Sequence, residues 1–286
     1  MKTFYQYITE ATAEKDQAFI DEAEFVFQKL LEDCHTNKQK NYFTDTTSDP
    51  PRYGVNLGTV TANKLYDNIY VVFAEKNLKT QGVFARIKGT QTQSLGLFYL
   101  QPIDYKANSP VWSAFVRDYK QIRTTFIHEF IHFLDYTRMG SDRWSAAVSG
   151  TTNSFSTKVN PTIYYNQPLE FNAFYQQGAA TIQGTIKSLF MEMSDDIGYI
   201  KTFIEKYKEM FSNNFNDFYN FSLKMNVFEK GYIQALTAKN KKKLMSRYYS
   251  LYTDILSPKL NKLKVMVQQY DGQSTKNISD SKRTES

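Results

Sequence analysis

The sequence predicts an α+β fold, in which a small mixed sheet and one long helix are followed by a mainly helical C-terminal lobe. Two observations predict it. Runs rich in β-branched and aromatic residues, bounded by Gly, Asn or Pro, fall between residues 68 and 102. Apolar residues at helical spacing precede these runs and dominate the chain from Pro168 onward.

The first predicted helix covers residues 11–35, where Phe19, Val26 and Leu30 fall on one apolar stripe. Residues 36–60 are polar and contain two adjacent prolines, which predicts a loop. Three strands are predicted next. They are NIYVVFAE (68–75), VFARIKG (83–89) and SLGLFYLQP (94–102).

A long helix is predicted from about Pro110 to about Met139, with Gly140 as its natural stop. Residues 140–167 are rich in Ser, Thr and Asn and predict mostly loop. Helix is then predicted from Pro168 to about Tyr270. The polar residues after it, 271–286, predict a disordered tail.

The composition is that of a soluble globular protein, with 41% hydrophobic and 22% charged residues and a formal net charge of +6. The single cysteine, Cys34, excludes an intramolecular disulfide and favours a reducing compartment. No apolar run approaches the ~18 residues that cross a bilayer, and the N-terminus lacks the apolar core of a signal peptide. We therefore expect no membrane partner.

The segment TTFIHEFIHFLDY (124–136) contains two of the three histidines in the chain. On a helix, His128 and His132 lie one turn apart on one face and can bind one metal ion. Glu129 follows His128, where a general base can take a proton from a zinc-bound water. The alternative is a chance match on a helix whose histidines have other partners.

A catalytic zinc site needs a third protein ligand. His35 ends the first helix and is better explained as a surface or capping residue. Asp135 lies on the histidine stripe, but about 10 Å along the axis from His128, and is better placed to hydrogen-bond a ligand. Glu170, early in the helix after Pro168, is the candidate third ligand. The alternative is a first-turn glutamate favoured by the helix dipole.

HEFIHFLDY together with NQPLEFNAF resembles the zinc peptidases of the anthrax lethal-factor type. The resemblance covers residues 124–177 and implies a zincin-like metallopeptidase with the zinc ligands His128, His132 and Glu170 and the base Glu129. It also implies a tyrosine that steadies the oxyanion, for which Tyr164 or Tyr165 is the candidate. Ordinary loop packing is the alternative for both.

In this class of peptidase, a sheet edge aligns the substrate beside the active-site helix. The run 94–102 is the candidate edge, and an internal strand is the alternative. The implied domain boundaries are residues 1–10 for a propeptide, 11–193 for the catalytic domain, 194–270 for the helical lobe and 271–286 for the tail.

The N-terminus, MKTFYQYITEA, resembles the capsid-targeting peptides of internal head proteins in T-even-type bacteriophages. The resemblance implies cleavage between Glu10 and Ala11, packing inside the virion and delivery into the host cytoplasm. An amphipathic first turn is the alternative, because Phe4, Tyr7 and Ile8 also fall at helical spacing.

The late helical region carries a basic cluster with interleaved tyrosines. Its members are Lys239, Lys241, Lys242, Lys243, Arg247, Lys259, Lys262 and Lys264. The cluster could contact DNA or an acidic partner, although a solvated helix face is the favoured interpretation.

The predicted function is therefore that of a Zn²⁺-dependent endopeptidase, carried by a phage and acting on a host protein. Two alternatives remain open. One is a non-catalytic, DNA-associated internal head protein whose metal serves stability only. The other is a toxin-like effector peptidase with no phage connection.

Overall fold

The computed structural model describes residues 13–35, 42–45, 52–61, 65–73, 82–85, 96–100, 111–140, 142–144, 147, 160–192, 197–265 and 268. For parts of these ranges it describes the backbone alone. The predicted cleavage point between Glu10 and Ala11 and the predicted tail, 271–286, lie outside the described residues.

Helices form most of the described chain. They are α1 (Ala13–His35), α2 (Val111–Met139), α3 (Pro161–Tyr165), α4 (Pro168–Glu192), α5 (Ile197–Lys206), α6 (Phe215–Lys224), α7 (Lys230–Ala235) and α8 (Ala238–Leu251). A π-helical turn, Tyr252–Leu256, follows α8, and residues 257–265 continue as helix. Among the described residues, no helix is both long and apolar enough to cross a membrane.

Five short strands pair along their backbones. They are β1 (Tyr42–Asp45), β2 (Arg52–Thr61), β3 (Leu65–Phe73), β4 (Gly82–Ala85) and β5 (Gly96–Leu100). The order is β1-β2-β3-β5-β4, with β3 and β5 parallel and the other pairs antiparallel.

Two strand predictions are wrong. β5, which lies in the run 94–102, is placed between β3 and β4 rather than at an edge. β1 and much of β2 lie in the region 36–60, which was predicted as loop. Polar composition hid these strands, because a strand paired through its backbone does not need an apolar run.

The predicted α+β class, with its zincin-like architecture, is also wrong, because the described chain is mainly helical. The three longest helices, α1, α2 and α4, together contain more residues than all five strands. Only three of the described buried hydrophobic side chains, Leu57, Ile69 and Val71, lie on strands. Most of the described core side chains therefore lie on helices, and these three strand residues belong to the same core.

Helix α2 is the centre of this core. Its residues 125–136 are all buried, which requires packing on every side. Phe126 packs against Phe27 of α1 at a ring-centroid distance of 5.7 Å. The predicted end of the helix is confirmed, because Gly140 has φ 79° and its N–H donates to the carbonyl of Tyr136 at 3.0 Å.

The segment before α4 is set by two short local signals. The Asn160 side chain caps α3 by accepting from the N–H of Thr162, and Pro161 occupies the first turn. α3 ends after one turn, and Pro168 begins α4. This arrangement places the Tyr164–Tyr165 pair and Glu170 on two consecutive helices close to α2.

A buried ion pair joins α1, at the start of the described chain, to α8 in the C-terminal region. The Arg247 guanidinium of α8 donates to both carboxylate oxygens of Asp16 in α1, at 2.6 and 3.2 Å. The same guanidinium donates to Asn172 of α4, and Gln176 of α4 donates to Asp16. α1, α4 and α8 are therefore held together by one polar cluster inside an apolar core.

Candidate metal centre

One face of α2 carries polar side chains although the helix is buried. His128 is 6% exposed, Glu129 is 9% exposed and His132 is 8% exposed. The imidazole rings of His128 and His132 are 4.9 Å apart between centroids, as expected for residues one turn apart. A buried helix that retains ionisable groups must give them partners, which come from α4 for the two histidines and from β4 for Glu129.

Glu170, in the first turn of α4, reaches both histidines. Its Oε2 lies 3.4 Å from Nε2 of His128, and its Oε1 lies 3.5 Å from Nε2 of His132. Ala173, three residues later, is fully buried, and its small side chain allows α4 to approach α2 closely. The predicted convergence of His128, His132 and Glu170 is therefore present.

The spacing of these three groups fits a metal ion. One ligand atom from each residue lies within 4.8 Å of the other two. Atoms about 2.0–2.2 Å from a tetrahedral zinc ion lie roughly 3.3–3.6 Å from each other. A direct charge-assisted hydrogen bond would be shorter, about 2.7–2.9 Å. Glu170 Oε2 is also buried without a hydrogen-bond partner in the described structure. The group can hold a metal ion.

The charges of the two ligand types stabilise each other. Burial alone would lower the pKa of His132, but the carboxylates of Glu170, Glu129 and Asp135, with Glu170 foremost, together raise this pKa to about 9. Burial alone would raise the pKa of Glu170, but His132 and His128 hold it well below its usual range. Without a metal, the site is therefore a buried carboxylate beside a protonated imidazole.

Glu129 is held by the backbone of β4. Its Oε2 accepts a hydrogen bond from the N–H of Phe84 at 2.7 Å. The negative charge of Glu129 raises the pKa of both His132 and Tyr164, so the carboxylate lies beside the metal-binding group. A carboxylate in this neighbourhood is available to accept a proton.

The two candidate tyrosines face different partners. Burial, followed by the carboxylates of Glu170 and Glu129, holds the pKa of Tyr164 well above its usual range, so its hydroxyl stays protonated. The Tyr165 hydroxyl instead donates to Glu229 at 3.1 Å. Tyr164 is therefore beside the centre, and Tyr165 is tied to the loop before α7.

The two histidines differ in what contacts Nδ1, the ring nitrogen that faces away from Glu170. Nδ1 of His128 lies 3.0 Å from Oε1 of Gln177 in α4. Nδ1 of His132 is buried and has no hydrogen-bond partner in the described structure. Phe174 packs edge-on against the His128 ring at 4.4 Å, and Trp144 lies 6.0 Å from the His132 ring. Aromatic side chains thus line both sides of the centre.

Asp135 does not bond to a ligand histidine, although the sequence predicted that role. Its carboxylate accepts a hydrogen bond from Asn172 at 3.1 Å. Burial raises the pKa of Asp135 to about 6, against the lowering effects of Asn172 and His132. The reason is that α4 packs against α2 here and Asn172 supplies the hydrogen-bond donor to Asp135.

The basic cluster of the C-terminal region is not one surface. Lys239, Lys241 and Lys242 are exposed on α8, and Lys259 and Lys262 are exposed beyond it. Arg247 points into the core, and Lys243 lies over the Phe171 ring at 5.2 Å. Tyr248 and Tyr252 are buried, while Tyr249 is exposed. Contact with DNA stays a prediction for the exposed lysines alone.

Comparison of the chain with known protein families, with curated proteins and with solved structures finds no match to any of them.

Sequence reasoning missed Gln177, which contacts His128, and Asn172, which contacts Asp135. Gln177 follows Glu170 by seven residues, which places both on the same face of α4. That spacing is a usable signal for a residue that shares the face of Glu170. The pairing of Asn172 with Asp135 had no comparable signal, because it depends on how α2 and α4 cross. The side chain of His35 lies outside the described residues.

Proposed function

We propose that this protein is a zinc-dependent endopeptidase. His128, His132 and Glu170 converge, and a fourth side chain, the carboxylate of Glu129, is present without being one of the three candidate ligands. This observation carries the proposal. Two imidazoles and one carboxylate are a donor set of catalytic zinc sites, which leave the fourth position open.

Zinc, when bound, would supply a Lewis acid that activates water and polarises a carbonyl group. Glu129 would accept the proton of the attacking water. Its orientation is favourable because the Phe84 N–H fixes one carboxylate oxygen and leaves the other free in that contact. The low exposure of Glu129 keeps bulk water from competing for the proton.

Tyr164 would donate a hydrogen bond to the oxygen that becomes negative as the peptide carbonyl is attacked. Its raised pKa keeps this donor protonated over the whole working range. The C–N bond then breaks, and the proton held by Glu129 passes to the leaving amine. The net reaction adds one water across one peptide bond.

The test uses the purified protein and a matched variant, Glu129→Gln. Metal content is measured by mass spectrometry, and new N-termini are sought in a bacterial lysate incubated with each protein. We expect one zinc per chain in both proteins and new N-termini from the wild type alone. Equal cleavage by both proteins would contradict the proposal. So would the absence of zinc from the wild type.

The biological setting that we propose is a bacteriophage head, from which the enzyme is delivered to act on a host protein in the cytoplasm. This part rests on the resemblance of residues 1–11 to capsid-targeting peptides. N-terminal sequencing of virion-derived protein tests it. A start at Ala11 is expected, whereas a start at Met1 would favour an effector peptidase without head packaging.

A further inference from the structure

We propose that Gln177 is a positioning residue for His128, and that this side chain sets the strength with which the centre binds zinc. The inference rests on the proposed metal centre. It concerns a residue that lies outside the ligand set and outside the His-Glu-x-x-His segment.

The contact fixes the tautomer of His128. Oε1 of Gln177 lies 3.0 Å from Nδ1 of His128, and an amide oxygen can only accept a hydrogen bond. Nδ1 must therefore carry the proton. Nε2, which faces Glu170 at 3.4 Å, is left with the lone pair that a metal requires. The opposite amide orientation would put the proton on Nε2 and block the site.

The position of Gln177 is well supported. The Thr181 hydroxyl donates to the Gln177 carbonyl at 2.8 Å, which is a bond within α4. The neighbouring Gly178 lies so close to Phe228 that an added Cβ would overlap its ring. Phe174, three residues before Gln177, packs edge-on against the His128 ring. The α4 turn is therefore seated firmly, and the imidazole lies between a ring edge and an amide.

The other histidine ligand, His132, has no comparable hydrogen bond among the described residues. Nδ1 of His132 is buried and unpartnered in the described part of the chain. Among the described residues, the Gln177 amide is therefore the one hydrogen-bond partner found at the Nδ1 atom of either histidine. Partners of this kind contribute about 10- to 100-fold to metal affinity.

The Gln177 side chain is an uncharged amide, and it therefore affects the imidazole differently from a carboxylate. A carboxylate at this position would draw the Nδ1 proton toward itself and make Nε2 a stronger donor. An amide orients the ring without that effect. We therefore expect Gln177→Glu to bind zinc at least as tightly as the wild type, and Gln177→Leu to bind it about 10- to 100-fold more weakly.

Zinc affinity is measured by competition with a chromophoric chelator, which requires no enzymatic activity. Gln183→Leu is the matched control. Gln183 is also a half-buried glutamine of α4, and its amide is hydrogen-bonded to Gln17 of α1, away from the centre. This control should leave zinc affinity unchanged. If Gln177→Leu does not fold, the zinc affinity of Gln177→Glu tests the inference instead.

A spectroscopic readout separates positioning from general loss of structure. The chain has three histidines, so ¹⁵N-histidine spectra contain three imidazoles that single variants can assign. In the zinc-loaded wild type, we expect a protonated Nδ1 on His128 whose hydrogen exchanges slowly. In Gln177→Leu that hydrogen should exchange faster.

Three results would overturn the inference. They are equal zinc affinity in Gln177→Leu and the wild type, an unprotonated Nδ1 on His128, or weaker binding in Gln177→Glu than in the wild type. If the wild type itself does not bind zinc, the proposed function and this inference fail together. If the wild type binds zinc and only the Gln177 variants behave otherwise than expected, the proposed function stands and this inference alone fails.

Discussion

The backbone N–H of Phe84 donates a hydrogen bond to the side chain of Glu129 at 2.7 Å. This bond joins β4 to the buried helix α2 at the residue that we propose as the general base. β4 is the last strand in the order β1-β2-β3-β5-β4, so its pairing with β5 does not require every one of its N–H groups. A short strand thus orients a side chain of the central helix.

Phe84→Pro removes this donor, and proline is tolerated where an N–H points away from the neighbouring strand. We expect peptide hydrolysis to slow by about 10- to 100-fold, because Glu129 loses the group that orients it. Zinc content should not change. Phe84→Leu is the control, since it alters the side chain and keeps the N–H. Equal rates in the two variants would show that the N–H has no role.

Substitution of Tyr164 and substitution of Tyr165 should have clearly different effects on kcat. Tyr164→Phe removes the hydroxyl beside Glu170 and Glu129, and the loss of one such donor typically costs about 10²–10³ in kcat. Tyr165→Phe removes a hydroxyl that is bonded to Glu229, so kcat should change little. Steady-state kinetics on one peptide substrate measures both. A larger loss in Tyr165→Phe would reverse the assignment.

The stability of the metal-free protein should depend on pH through His132 and Glu170. The raised pKa of His132 stabilises the fold fully below about pH 6.5, and this stabilisation is lost as pH rises through about 9. The lowered pKa of Glu170 stabilises the fold at pH values above about 4.5. This stabilisation is lost as the pH falls toward the pKa that Glu170 has in the folded protein. Both contributions are therefore complete between about pH 4.5 and pH 6.5.

Urea unfolding with a chelator present, at pH 6 and at pH 9, measures this effect. We expect the metal-free protein to lose on the order of 3 kcal/mol of unfolding free energy at the higher pH. Glu170→Gln should show a much smaller difference, because the carboxylate that most raises the pKa of His132 is removed. A wild type as stable at pH 9 as at pH 6 would contradict the assigned pair.

The ion pair between Arg247 and Asp16 should be the most sensitive polar contact of the core. The two side chains are 7% and 1% exposed. Removing one partner from such a pair costs about 3–5 kcal/mol, because a buried charge is left alone. We expect this loss in Arg247→Met and in Asp16→Leu, and a smaller loss in the double variant than the sum of the two.

Lys224→Met is the control for that measurement. Lys224 pairs with Glu209 at 2.7 Å, but its side chain is 66% exposed. Water screens this pair, so its loss should cost less than about 1 kcal/mol. If Arg247→Met were as mild as Lys224→Met, the buried cluster would not hold α1, α4 and α8 together as described.

The metal-binding group was predictable from local patterns. His128 and His132 depend only on helical periodicity, and Glu170 follows from a helix start at Pro168 with a small residue, Ala173, one turn on. Each of these signals spans a few residues, so it does not depend on the arrangement of the whole chain.

Longer-range features were not predictable in this way. The basic cluster looked like a single charged face, because nothing in its spacing distinguishes Arg247, which meets Asp16 across the fold, from the exposed Lys242. The fold class was misjudged for a related reason. Runs rich in Val, Phe and Tyr indicate strands, but they do not indicate that helices make up most of the described chain.

Anomalous scattering from a zinc-loaded crystal is the most direct test of the central claim. We predict one zinc peak per chain, about 2.0–2.2 Å from Nε2 of His128, Nε2 of His132 and a carboxylate oxygen of Glu170. Zinc bound at another place, or bound by the two histidines with Glu170 turned away, would contradict the account.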